Sequence, residues 1–111
     1  GIQEIKNLGC LKRLKILDLA INRLATITGI EDLETLEEFW VNSNQIESFE
    51  TLEPLKSLKN LKCLYLEHNP LARDLQYRNK VLDIVPQLTQ LDAIVITNRQ
   101  SNPILKSRLL P

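Results

Sequence analysis

Leucines recur along this chain at a spacing that neither one amphipathic helix nor one alternating strand produces. The frame L-x-x-L-x-x-L-x-L-x-x-N fits Leu11, Leu14, Leu17, Leu19 and Asn22, then Leu33, Leu36, Phe39, Val41 and Asn44. It fits a third time at Leu58, Leu61, Leu64, Leu66 and Asn69. The asparagines stand 44 − 22 = 22 and then 69 − 44 = 25 residues apart, a period that marks stacked repeats. Two positions after each Asn comes an apolar residue, Leu24, Ile46 and Leu71. Ile27 and Ile30 continue the first tail, and Phe49 and Leu52 the second. The third period is longer by an x-x-L step around Leu55, placed on the side away from the strands. Ile2, Ile5 and Leu8 precede Leu24, Ile27 and Ile30 by 22 residues, so the chain is expected to begin in the tail of an earlier repeat.

Three matches to a twelve-position frame identify the chain as a member of the leucine-rich-repeat class. Each unit is a short strand and a turn that cannot bury its own leucines, so neighbouring units stack into a solenoid with one continuous core. The predicted fold class is α/β, with short parallel strands on the concave face, a helical or irregular convex side and a C-terminal helical cap. Asn22, Asn44 and Asn69 are structural in this reading, bonding backbone groups where the chain leaves each strand.

After Asn69 the pattern changes. "DLQYRNKVLDIV" places Tyr77, Val81, Ile84 and Val85 on one helical face, with Asp74 as N-cap and Pro86 just past the end. "QLTQLDAIVI" adds Leu88, Leu91 and a β-prone run, with Asp92 set to bond a nearby turn. The expected organisation is repeats over 1–72, the first of them partial, a cap over 73–97 and a loosely held tail over 98–111. An uncapped N-terminal edge predicts self-association or missing upstream repeats. With no methionine, the chain is expected to be a fragment or a processed product.

Strand alternation selects the candidate binding face. With the L-x-L residues inward, the outward set is Ile16, Asp18 and Ala20, then Glu38, Trp40 and Asn42, then Cys63, Tyr65 and Glu67. The central column is Asp18, Trp40 and Tyr65. Two aromatics ringed by carboxylates are the composition of a protein-binding hot spot. The competing reading is an aromatic ladder in which Trp40 lies over its neighbours without a partner. Exposed aromatic surface is costly in water, which favours binding.

Composition narrows the partner. Fourteen basic residues balance fourteen acidic ones, so no long-range field recruits nucleic acid or an anionic membrane. Lys56, Lys59 and Lys62 form a solvated convex face, and no apolar run has the length of a membrane span. Two cysteines, Cys10 and Cys63, are too few for a disulfide framework and fit a reducing, intracellular setting. Catalysis finds no constellation: His68 has no Cys or Ser in motif spacing, Cys63 has no second ligand, and the adjacent Glu37 and Glu38 face opposite sides. No enzyme activity, metal or cofactor is expected.

"NPLARDLQYRNKVLDIVPQLTQLDA", with Tyr77, Arg78, Pro86, Leu91 and Asp92, resembles the leucine-rich-repeat cap of several intracellular eukaryotic proteins. "LKILDLAINRL", "LEEFWVNSNQIESF" and "LYLEHNPLARDLQYRNKV" are similar to the C-terminal repeats of the leucine-rich-repeat regulatory subunits of protein phosphatase 1. The resemblance implies a non-enzymatic scaffold, nuclear and cytoplasmic, whose concave face grips the phosphatase catalytic subunit. Its matching positions are Asp18, Glu38, Trp40 and Tyr65, with Asn42 and Glu67 beside them. A spliceosomal leucine-rich-repeat subunit and an axonemal dynein light chain share the cap and stand as alternatives.

Overall fold

The computed structural model describes residues 1–6, 8, 11 and 13–96. The tail over 98–111 and Cys10 lie outside the described residues. Each leucine frame produces a three-residue strand: β1 Ile16–Asp18, β2 Glu38–Trp40 and β3 Cys63–Tyr65. They pair in parallel, Leu17 opposite Phe39 and Phe39 opposite Leu64. Parallel neighbours need a long crossover, and here each crossover is the rest of one repeat.

The x-x-L step around Leu55 becomes a 3-10 helix, Phe49–Ser57, with the Ser48 hydroxyl accepting from the Glu50 amide at 3.1 Å. Pro54 lies inside it, which a 3-10 turn tolerates better than an α-helix interior. Leu52, Leu55 and Leu58 are fully buried, so the longer repeat widens the convex side without opening the core.

That core is one column of stacked repeats. Leu36, Phe39, Val41, Leu61, Leu64 and Leu66 are all excluded from solvent. Leu14, Leu17 and Leu19 of the first frame are only partly buried, because β1 is the outer strand of the sheet. The N-terminal segment packs against this outer rung: the Ile2 amide donates to Asn22 Oδ1 at 2.8 Å, and Ile5 enters the core. Gly29, at φ +77°, lets the next turn close on Ile5, whose carbonyl would stand 3.1 Å from any added Cβ.

A second 3-10 turn, Pro70–Arg73, leads to α1, Tyr77–Ile84. The helix starts two residues later than the placement of Asp74 at its N-cap predicts, with Gln76 at the N-cap. Asp74 instead closes the preceding turn, its Oδ1 accepting from the Gln76 amide at 2.7 Å and its Oδ2 from Lys80 Nζ at 2.7 Å. Those two bonds hold the Asp74 carboxyl below its ordinary range, the lysine bond first. The local preference of Asp for turn amides outweighs its helix-capping option here. Val81 is buried within α1, Val85 is buried as the C-cap one residue past its end, and Gln87 Nε2 donates to the Leu55 and Leu58 carbonyls, sealing the convex side.

The β-prone run forms a hairpin, β4 Gln90–Leu91 and β5 Ile94–Val95. β4 extends the parallel sheet, Leu64 opposite Leu91, and β5 turns back antiparallel to end it. Asp92 takes φ +56° between them, a left-handed position that Asp tolerates.

Candidate protein-binding wall

The parallel register assembles two outward columns on the open face of the sheet. Ile16, Glu38, Cys63 and Gln90 form one, and Asp18, Trp40 and Tyr65 the other. Trp40 and Tyr65 meet edge to face, ring centroids 5.5 Å apart at 73°, a geometry that places a positive ring edge on a negative face. Trp40 is half-buried rather than free-standing. It leans on its neighbour and still presents surface to solvent.

Polar contacts fix the pair. Trp40 Nε1 donates to Glu38 Oε1 at 3.1 Å. Gln90 Nε2 donates to the Tyr65 hydroxyl oxygen at 3.0 Å and to the Asp92 carbonyl at 2.8 Å. Tyr65 thus keeps its own proton to donate to an incoming acceptor. Asp18 Oδ1 accepts from the Ala20 amide at 3.0 Å, which holds the strand exit and leaves the second oxygen outward. Asn42 and Glu67 stand one step further along, half-buried, their carbonyls accepting the Ile21 and Ser43 amides. Asp18, which is exposed, and the half-buried Glu38 and Glu67 carry the wall's charge, with no Lys or Arg among its outward positions.

Cys63 shares the register of Glu38 but is only 9% exposed. Burial, then the charges of Glu38 and Asp92, push its thiol up to about 11. A thiol held protonated in this way packs as a small apolar group. Among the described residues no cluster of His, Cys, Asp and Glu is arranged to hold a metal ion, and no helix is long and apolar enough to cross a membrane. Glu37 turns away from Glu38, as strand alternation requires, and pairs with Lys15 at 3.4 Å.

The three asparagines form a rung-by-rung ladder under the wall. Asn44 Oδ1 accepts the Leu24 amide at 2.9 Å, while its Nδ2 donates to the Leu19 and Val41 carbonyls, both at 3.0 Å. Asn69 repeats this on the next unit, bonding the Ile46 amide at 3.0 Å and the Val41 carbonyl at 3.0 Å. Both side chains therefore tie one repeat to the one before it.

The cap residues come together where the ladder ends. Asp92 Oδ1 accepts from the Leu66 and Glu67 amides at 2.7 and 2.9 Å, and its Oδ2 accepts from the Tyr77 hydroxyl at 2.7 Å. Burial and the bond to Asp92 both raise the Tyr77 phenol. Leu91 is buried against the last repeat, and Pro86 follows the end of α1.

Gln90 is the wall residue that the strand pattern left unassigned. Its signal is present in "QLD", which aligns with "CLY" at 63–65 once the cap strand is read as one more rung.

A leucine-rich repeat family profile matches residues 1–107. The chain is 41% identical over 74 residues to the protein phosphatase 1 regulatory subunit pprA of Dictyostelium discoideum, covering 67% of this chain and 22% of that protein. It is 36% identical over 73 residues to the protein phosphatase 1 regulatory subunit SDS22 of Schizosaccharomyces pombe, covering 63% of this chain and 22% of that protein. The chain thus spans about a fifth of the length of these relatives, with 22% of each covered. A chain of the Drosophila melanogaster SNF/U2A′ complex superposes with a TM-score of 0.68 over 96% of this chain and 82% of its own, at 22% identity. That last likeness is one of fold.

Proposed function

This chain belongs to the leucine-rich repeat family, and we propose that it is a non-catalytic part of a phosphatase regulator that holds the catalytic subunit of protein phosphatase 1 on the open face of its sheet. The observation that carries this reading is the Trp40–Tyr65 pair, fixed by Glu38 and Gln90 and bordered by the uncompensated charges of Asp18 and Glu67. A rigid aromatic anchor loses little entropy on docking, and its surrounding carboxylates select a basic partner surface. Two relatives named as phosphatase 1 regulatory subunits support the choice of partner. Action in the nucleus and cytoplasm belongs to the same reading.

The test is capture of the phosphatase 1 catalytic subunit by the full-length protein that carries these repeats. Trp40→Ala is expected to weaken binding by about 2 kcal/mol or more, and Tyr65→Ala to add to the loss. Circular dichroism should show the fold intact in both. No capture by the wild-type protein would overturn the phosphatase reading and leave a spliceosomal or dynein-type adaptor in its place.

A further inference from the structure

The two most exposed large apolar side chains among the described residues, Leu75 at 98% and Ile21 at 78%, do not lie on the strand wall. Ile21 stands where the chain leaves β1, in the same register as Ser43 after β2 and His68 after β3. All three take the left-handed backbone conformation, with φ of 58°, 58° and 62°. Continuing the strand register puts these three backbone positions on successive rungs, about 4.8 Å apart. An exposed isoleucine is an unusual occupant of such a position, since a β-branched side chain is strained there and gains nothing from burial.

Next to His68 the flank opens into a hollow of about 480 Å³ lined by Asn44, His68, Asn69, Pro70, Ala72 and Arg73. The amides of Asn44 and Asn69 are committed to the ladder. His68 and Arg73 are both exposed, and neither side chain has a hydrogen bond or ion pair with any described residue. The guanidinium is a permanent cation, and the imidazole offers an N–H in either protonation state. The adjacent acid, Asp74, is already held by Lys80. Leu75 is two peptide links from Arg73, so their Cα atoms are within about 7 Å.

We propose that this strand-exit flank is a second protein-docking surface, one that takes an acidic peptide segment bearing a bulky aliphatic residue. Its carboxylates pair with Arg73 and His68 at the hollow, and its aliphatic side chain covers Leu75, with Ile21 extending the apolar contact across the rungs. Charge complementarity assigns the occupant. The strand wall carries Asp18, Glu38 and Glu67 without a cation and repels such a segment, whereas the hollow presents donors with no acid in its lining. The two surfaces select partners of opposite sign, so both can be occupied together.

The test uses the whole chain and a fluorescein-labelled acetyl-Asp-Glu-Ile-Leu-Glu-Asp amide, followed by fluorescence polarisation and by amide shifts in a nitrogen-proton correlation spectrum. Shifts are expected at 68–75 and at Ile21. Affinity should fall about tenfold or more in Arg73→Glu and again in Leu75→Ser, both surface changes that spare the core. Trp40→Ala should bind the peptide as the wild type does, which separates this surface from the phosphatase reading. A charge-reversed peptide with Lys in place of each acid should leave those amides unmoved. The proposal is overturned by shifts on the strand wall, by binding indifferent to both variants, or by no binding at all. Concentration-dependent shifts of the same amides without peptide would assign the flank to a second copy of the chain and overturn it equally.

Discussion

Replacing Asn69 by alanine removes a side chain that is 3% exposed and bonded on every side. Its Oδ1 accepts the Asn44 and Ile46 amides at 3.1 and 3.0 Å, and its Nδ2 donates to the Val41 and Leu66 carbonyls at 3.0 and 2.8 Å. Each such bond is worth about 0.5–1.5 kcal/mol net, and the groups left behind are too deep for full rehydration. Four bonds lost together amount to roughly 3–5 kcal/mol, a large part of the 5–15 kcal/mol typical of a domain. Asn22 is the internal control. It makes comparable bonds to the Ile2 amide and the Leu19 and Ala20 carbonyls, but at the half-buried outer rung, where water replaces them. Asn22→Ala should therefore cost only about 1 kcal/mol. Urea unfolding of the two variants beside the wild type, followed by circular dichroism, measures the difference. Equal midpoints for the two variants would refute the claim that ladder bonds gain their value from burial.

Three further outcomes follow from the same geometry. Tyr77→Phe keeps the ring and loses the 2.7 Å bond to Asp92, so the melting curve should report a loss of about 1–2 kcal/mol, and no change would mean the cap is held by apolar contact alone. Leu64→Ala opens a cavity between Phe39 and Leu91 in the sheet register and should cost roughly 2–5 kcal/mol in denaturant unfolding, whereas a neutral result would undo the register. In a Cys10→Ser background, Cys63 should resist thiol-specific labelling until the pH approaches about 11. Because its folded pKa lies above the ordinary cysteine value of 9.0, the native state holds its proton longer, so that share of stability is whole below about pH 9 and declines as pH rises towards 11. Rapid labelling of folded protein at neutral pH would show the thiol to be accessible.

The cap shows where local pattern and tertiary contact diverge. Tyr77, Val81, Ile84 and Val85 were legible as one helical face because that face obeys a period set by helix geometry. The start of the helix was not. Asp74 is a good N-cap by residue type, but Lys80 and the Gln76 amide claim its carboxylate first, and the helix opens at Tyr77.

By itself, the order of leucines and asparagines determined the repeat, its register and the side of each strand that faces out, because strand alternation and a recurring 22-residue unit admit one stacking that buries the leucines. Asp18, Trp40 and Tyr65 were aligned by that arithmetic alone. Only the tertiary structure decided how deeply each outward residue sits. Trp40 is propped by Tyr65 and Glu38, and Cys63 is closed off from the face its register shares with Glu38. It also made Gln90 part of the wall, opened the hollow beside His68 and Arg73, and left Ile21 and Leu75 exposed. Exposure depends on which side chains neighbouring repeats bring alongside, a property of contacts 20 or more residues apart in the chain, which no local periodicity encodes.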